Sequence, residues 1–196
     1  TEVCINGPRM AGTDATDPAS ITKAELEGAE QASAFAKMLR KYVGGFENAF
    51  VSHINDSIGI RETRHINGIK TLTGADVKSG RITDDTIALG AYPIDIHPPE
   101  GADDSMFDTV KLQDGNFYNI PYRALIGGAD NLITVGRCIS ATFEAQAAIR
   151  VSPIAGAIGH AGGVTAAVAA KNGTIVSDVN ITEAQKLLRE QNAFLQ

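Results

Sequence analysis

The sequence predicts an α+β fold with a long N-terminal helix, a mainly antiparallel sheet region over about residues 49–126, and a C-terminal strand–helix unit. Three observations predict this arrangement. Apolar residues at helical spacing follow a capping pattern near the start of the chain. Short apolar runs separated by turn residues fill the middle. Near the end, an apolar run of strand length precedes a longer run rich in Gly and Ala.

The N-terminal helix is expected over residues 22–43. Thr22 and Glu25 form a capping-box pattern, in which each side chain pairs an N–H of the first turn. The apolar residues that follow share one helical face, and they are Phe35, Met38, Leu39 and Tyr42. Gly44 and Gly45 are typical of a helix end.

The middle of the chain is expected to alternate strands with short helices. Strands are predicted over residues 49–54, 57–68, 69–72, 92–97 (YPIDIH), 107–112 and 117–120. Short helices led by Thr are predicted over 73–79 and 83–89. The segment 113–116 (QDGN) predicts a hairpin turn between the last two strands.

The last third predicts a strand over 131–138, a polar and alanine-rich segment over 140–150, and a helix that begins near Pro153. Thr182 and Gln185 form a second capping-box pattern, which predicts a terminal helix with an apolar face.

Composition narrows the function classes. The chain has 196 residues, 20 of them Gly, and a net charge of −6. This acidic balance argues against a nucleic-acid partner, because phosphate binding needs clustered Lys and Arg.

Cys4 and Cys138 lie far apart without metal-ligand spacing, so no metal site is expected. One disulfide is compatible with the pair, but a reduced, cytoplasmic protein is the expectation. Residues 153–170 predict a buried helix rather than a membrane span.

The strongest candidate site is the start of the helix at Pro153, just after Arg150. Unpaired N–H groups there carry partial positive charge, and the small residues Ala155 and Gly156 would let a flat ligand approach the backbone. The alternative is that the small residues serve helix packing alone. No glycine-rich dinucleotide fingerprint accompanies this helix.

Four weaker candidates precede it in the chain. Arg64 lies in a run of charged residues in which an arginine could clamp a carboxylate, or be paired for structural reasons. His97 ends an apolar run, where either a functional or a structural histidine is expected. Tyr122 and Arg123 are candidate substrate or cofactor contacts, and structural pairing is again the alternative.

Segments 61–68, 92–97, 118–126 and above all 131–171 (NLITVGRCISATFEAQAAIRVSPIAGAIGHAGGVTAAVAAK) resemble the C-terminal half of FAD-dependent oxidoreductases of the glutathione-reductase-like flavoproteins. The resemblance implies that residues 1–130 are a substrate or cap region. It also implies that residues 131–196 complete a Rossmann-like FAD-binding domain whose N-terminal half is absent from this chain. Because the chain starts at Thr1 rather than Met, a fragment of a larger protein is expected.

The resemblance also implies site residues. Gly136 and Arg137 would lie beside the ribityl–pyrophosphate part of FAD. The residues near the isoalloxazine would be Arg150, Ser152, Pro153, Ile154 and Ala155. The substrate side would carry Arg64, His97, Tyr122 and Arg123. Phe143 stands where the family usually has His, so a proton-transfer role for histidine is not expected at that position.

The expected function is therefore that of a C-terminal fragment of an FAD-dependent oxidoreductase, in which the cofactor carries the redox chemistry. The fragment alone is expected to be inactive and to bind FAD weakly or not at all. Its expected partners are the N-terminal FAD-binding half, a small-molecule substrate and a second copy of the chain. The alternative is a non-catalytic binding or assembly module that keeps the flavoprotein scaffold.

Overall fold

The structure is a computed structural model, and it describes residues 2–96, 112 and 116–195. The chain divides into two compact units, Thr1–Thr63 and Arg64–Gln196. The first unit contains α1, Pro18–Tyr42. The second contains α2 (Gly74–Ser79), β1 (Thr86–Gly90), β2 (Tyr118–Pro121), α3 (Phe143–Ile149), α4 (Ser152–Asn172) and α5 (Ile181–Glu190). This mixture of helices with a small antiparallel sheet is an α+β architecture.

Helix α1 begins four residues before the predicted start. Asp17 caps it, since its carboxylate accepts from Ala19 N–H at 3.0 Å, and Pro18 occupies the first turn. The predicted cap at Thr22 is wrong, because the Thr22 hydroxyl donates to Pro18 O at 3.0 Å from inside the helix. The helix ends at Tyr42, ahead of the two glycines.

The N-terminal unit buries little apolar surface of its own. Ala24 is the one buried residue of α1, while Leu26, Tyr42 and Phe50 are 66%, 69% and 82% exposed. The strand predicted over 49–54 is not formed, and neither is the part of the predicted 57–68 strand that lies in this unit. These residues have no ladder partner in the part of the chain that the structure describes, and Ala49 O instead accepts from Arg40 at 3.1 Å.

The sheet of the second unit has two strands, β1 and β2, which pair antiparallel. The helix predicted over 83–89 is wrong. Thr83 and Thr86 close a tight turn, with Thr86 N–H donating to Thr83 O at 3.1 Å, and the chain then extends into β1. Gly90 lies opposite Tyr118, and a side chain at Gly90 would overlap the Tyr118 ring. The predicted strand over 117–120 is confirmed as β2.

The strand predicted over 131–138 is also wrong. Residues 132–135 are irregular, and Gly136–Cys138 form a 3-10 helix that starts at the positive φ of Gly136, 70°. Residues 64–72 form no regular strand either. They run beside residues 138–142 through isolated bonds, including Ile66 N–H to Cys138 O at 3.0 Å and a parallel bridge between Leu72 and Ala141.

The remaining predictions meet mixed outcomes. The capped helix over 73–79 is confirmed as α2, where Thr73 and Asp76 form a complete capping box. The terminal helix is capped by Asn180 rather than by Thr182. Residues 92–96 form no strand beyond a single bridge residue, Ile94. The strand predicted over 107–112 lies outside the described residues except for Leu112.

Helix α4 is the central packing element of the second unit. It contacts β1 and α5, and its buried side includes Ile154, Ile158, Val164 and Val168. Among the described residues it is the one helix long and apolar enough to cross a membrane by length and composition, although about 44% of its apolar window is buried inside the unit. A core helix passes the same test.

Candidate functional site

A corner of the second unit gathers the residues expected to bind a cofactor. It is made by the 3-10 helix Gly136–Cys138, the end of α3 and the first turn of α4. The Arg137 side chain joins these elements, because its Nε donates to Arg150 O at 3.1 Å. We call this place the α3–α4 corner.

Packing behind the corner fixes the approach of the 3-10 helix to α4. A side chain at Gly162 would overlap the Cγ1 methyl of Val135, so Val135 lies directly on the α4 backbone. Val135 immediately precedes Gly136. The absence of a side chain at Gly162 therefore sets how near Gly136 and Arg137 lie to α4.

The backbone N–H groups in the first turn of α4 carry a partial positive charge that no side chain among the described residues caps. Val151 is the N-cap, no side chain in the described structure caps the turn, and Pro153 stands in it. Its first internal bond runs from Ala155 N–H to Val151 O at 3.0 Å. Ser152 and Pro153 are exposed, and no acidic residue lies in the turn. A helix of 21 residues with a bare N-terminus favours an anion or an electron-rich ring edge there.

The Arg150 side chain points to a different segment. Its Nη2 donates to Asp95 O at 2.8 Å and to Asp95 Oδ2 at 3.3 Å. The two side chains are only 16% and 23% exposed, so water screens the pair weakly. The Arg150 guanidinium is thus bound by Asp95, while the Arg150 backbone carbonyl accepts the hydrogen bond from Arg137.

Backbone is accessible on both sides of the corner. A side chain added at Gly136 or at Gly156 would meet nothing within 4 Å. A flat, partly anionic group could therefore lie against the 3-10 helix and the first turns of α4. The donor set of Arg137 and the N-terminal N–H groups of α4 suits such a group.

Arg64 lies on a segment next to the corner. Ile66 N–H donates to Cys138 O at 3.0 Å, and His65 Nδ1 lies 2.9 Å from Ile139 O. These bonds hold the chain around Arg64 against the 3-10 helix, and the Arg64 side chain itself is exposed. His97 lies outside the described residues.

Tyr122 is part of the core. It is 2% exposed, and its hydroxyl donates to Val176 O at 2.7 Å. Burial raises the pKa of Tyr122 to about 12, although a hydrogen bond with Thr165 opposes that rise. The structure therefore gives this phenol a packing role.

The Arg123 side chain is exposed, while its backbone N–H and carbonyl are both hydrogen-bonded. Its N–H donates to Asp85 Oδ2 at 3.2 Å, and its carbonyl accepts from Lys70 N–H at 3.0 Å. The backbone position of Arg123 is thus fixed while its side chain is available to a ligand.

Comparison with known families decides the general class. A family model described as FAD dependent oxidoreductase matches residues 2–188. The chain belongs to the FAD dependent oxidoreductase family. The searches of curated proteins and of solved structures found no match.

The α3–α4 corner carries two kinds of donor that suit an anionic group, the Arg137 side chain and the uncapped first turn of α4 at Ser152. Phe143, the residue expected to lack the proton-transfer role of histidine, is 58% exposed at the start of α3. A phenyl ring there can pack against a ligand but cannot transfer a proton.

Two residues of the α3–α4 corner were not predicted from the sequence. Asp95 holds Arg150 across 55 positions of the chain, and Gly162 admits Val135. The weak pointer to Asp95 was its place inside the apolar run YPIDIH, where an unexplained carboxylate needs a partner. The pointer to Gly162 was a glycine in the middle of a helix.

A concavity in the second unit lies away from the corner. It has a volume of about 240 Å³ and is lined mainly by apolar side chains of β1, α4, α5 and the C-terminal segment. Phe117 and Phe194 face each other there with ring centroids 5.3 Å apart, and His160 bonds Gln191 at its edge at 2.6 Å. None of the expected site residues lines it.

Proposed function

We propose that this chain supplies the flavin-facing corner and part of the substrate side of an FAD dependent oxidoreductase. The supporting observation is the bond from Arg137 Nε to Arg150 O at 3.1 Å, which joins the 3-10 helix to the end of α3 within the family-like segment 131–171, beside the bare N-terminus of α4. When bound, FAD supplies the redox chemistry by accepting and releasing a pair of electrons.

In this proposal the cofactor contacts divide into two sets. Gly136 and Arg137 contact the ribityl–pyrophosphate part, where a positive side chain and open backbone suit a phosphate. The first turn of α4, with Ser152, Pro153, Ile154 and Ala155, faces the isoalloxazine. The N–H groups that it offers are those of Ser152 and Ile154, because Pro153 has no N–H and Ala155 N–H donates to Val151 O. Their partial positive charge stabilises negative charge on the reduced ring.

Arg150 acts in the same site through its carbonyl, which anchors Arg137. Among the substrate-side candidates, Arg64 and Arg123 present exposed guanidinium groups, which favour an acidic small molecule. Tyr122 supports that side from the core, and His97 remains a candidate on the sequence argument alone.

The proposal includes an N-terminal Rossmann half as partner, because this chain carries no glycine-rich dinucleotide fingerprint. Self-association and a cytoplasmic location belong to the same proposal. The exposed Gly and Ala residues on one side of α4 support a covering partner, and they include Gly156, Gly163, Ala166 and Ala170.

Flavin absorbance and FAD titration test the proposal on the protein that joins this chain to its N-terminal half. The expected result is bound flavin in the joined protein and weak or undetectable binding by the chain alone. A joined protein that never retains flavin would contradict the proposal and favour a non-catalytic scaffold.

A further inference from the structure

Three segments of the chain meet through the side chains of Arg137 and Arg150. Asp95 accepts twice from Arg150, through its backbone O at 2.8 Å and through Oδ2 at 3.3 Å. Arg150 O in turn accepts from Arg137 Nε at 3.1 Å. A continuous path therefore leads from the segment 92–96, through the end of α3, to the 3-10 helix.

The location of Arg150 makes its orientation important for the corner. It is the C-cap of α3, and the N-cap of α4 is the next residue, Val151. Holding the Arg150 side chain therefore limits the movement of the junction that aims the first turn of α4. Because the Arg150–Asp95 pair is about four-fifths buried, releasing it would disturb both the junction and the carbonyl that Arg137 uses.

The charge balance of the α3–α4 corner also points to Asp95. An uncompensated Arg150 guanidinium beside the α4 N-terminus would add a full positive charge to the partial charge already there. The Asp95 carboxylate compensates Arg150, so its guanidinium adds little net positive charge to the corner. A carboxylate in this position makes the corner less positive than its arginine content suggests.

We propose that Asp95 is a positioning residue of the α3–α4 corner: it orients the Arg150–Arg137 link and compensates the charge of Arg150. This inference rests on the proposed function for its effect on FAD, while its structural half concerns this chain alone. Asp95 touches neither cofactor nor substrate in this account.

The test uses Asp95→Ala and Asp95→Asn, with the exposed Asp130→Asn as the matched control. Hydrogen exchange of the peptides covering 136–139 and 151–156 is measured in the chain itself. Asp95→Ala keeps the backbone acceptor at 2.8 Å but removes the carboxylate contact at 3.3 Å and its charge, and this loosening of Arg150 is expected to raise exchange there severalfold. Asp95→Asn keeps an oxygen acceptor and should change exchange much less, and Asp130→Asn should leave both peptides unchanged. Unchanged exchange in Asp95→Ala would overturn the positioning role.

The second readout is the flavin midpoint potential of the FAD-loaded protein. Asp95→Asn is expected to shift it to a more positive value, because uncompensated Arg150 stabilises the electron-rich reduced ring. Asp95→Ala is also expected to weaken FAD binding, because Arg137 and the first turn of α4 lose part of their fixed orientation. A potential equal to that of the wild type would overturn charge compensation. If no variant and no wild-type protein binds FAD, the proposed function fails, and the exchange experiment still decides the role of Asp95.

Discussion

Gly162 offers the sharpest test of how packing builds the α3–α4 corner. We predict that Gly162→Ala destabilises the chain, whereas Gly163→Ala, one position further along α4, stabilises it. Both changes add the same methyl group to the same helix. At Gly163 the methyl meets nothing within 4 Å, but at Gly162 it overlaps the Cγ1 methyl of Val135 and lies 3.6 Å from Ile133 Cγ2.

The magnitudes follow from two opposing effects. Alanine is favoured over glycine in a helix interior by about 1 kcal/mol, and both variants gain this. Overpacking a filled contact costs about 1 to 3 kcal/mol, and only Gly162→Ala incurs this cost. The free energy of unfolding of Gly162→Ala is therefore expected to lie about 1 to 3 kcal/mol below that of Gly163→Ala.

Urea unfolding followed by far-ultraviolet circular dichroism measures the difference between the two variants. Because Val135 precedes Gly136, displacement of Val135 is also expected to weaken FAD binding by the joined protein in Gly162→Ala alone. Equal stability of the two alanine variants would refute the packing of Val135 on α4. It would also remove the reason for the close approach of the 3-10 helix.

Two further predictions concern buried and capping groups. Tyr122→Phe loses the bond to Val176 O and should lower the free energy of unfolding by about 1 to 2 kcal/mol. Because burial raises the folded-state pKa of Tyr122 to about 12, its contribution to stability is full below its unfolded pKa and falls as pH rises towards 12. Urea titrations over that range should show a smaller alkaline loss in Tyr122→Phe, and an equal loss would contradict the assignment. Thr73→Ala removes the cap of α2 and should cost about 1 kcal/mol. Burial raises the pKa of Asp76, but the hydrogen bonds from Thr73, together with the charges of Lys70 and Arg81, outweigh burial and lower the pKa. The contribution of Asp76 is therefore present above its unfolded pKa and is lost as pH falls through the folded value. Unfolding in acid should show a weaker pH dependence in Thr73→Ala than in the wild type, and an unchanged dependence would exclude this pairing.

Features governed by neighbouring residues were predictable from the sequence. Thr73 and Asp76 satisfy each other within one turn, so α2 follows from local chemistry. The start of α4 at Ser152, beside Pro153, follows from the same kind of argument. The resemblance of segment 131–171 to the family likewise predicted Gly136 and Arg137 as site residues. The fold brings them together with Arg150.

Features governed by distant contacts were not predictable. The apolar run 131–138 suggested a strand, but its Val135 is accommodated by Gly162 on α4 rather than by a ladder. Thr83 looked like a helix cap because a tight turn and a helix start use the same hydroxyl chemistry. The Asp95–Arg150 pair spans 55 positions, and no local spacing encodes it.

The most direct test of the central claim is an FAD titration of the joined protein with Arg137→Ala beside wild type and Lys186→Ala. The Lys186 side chain is 76% exposed on α5, so its removal serves as the charge control. The account predicts that the wild type and Lys186→Ala bind FAD equally and that Arg137→Ala binds it about tenfold or more weakly while unfolding at a similar urea concentration. Equal FAD affinity in all three proteins, or no flavin in the wild type, would contradict it.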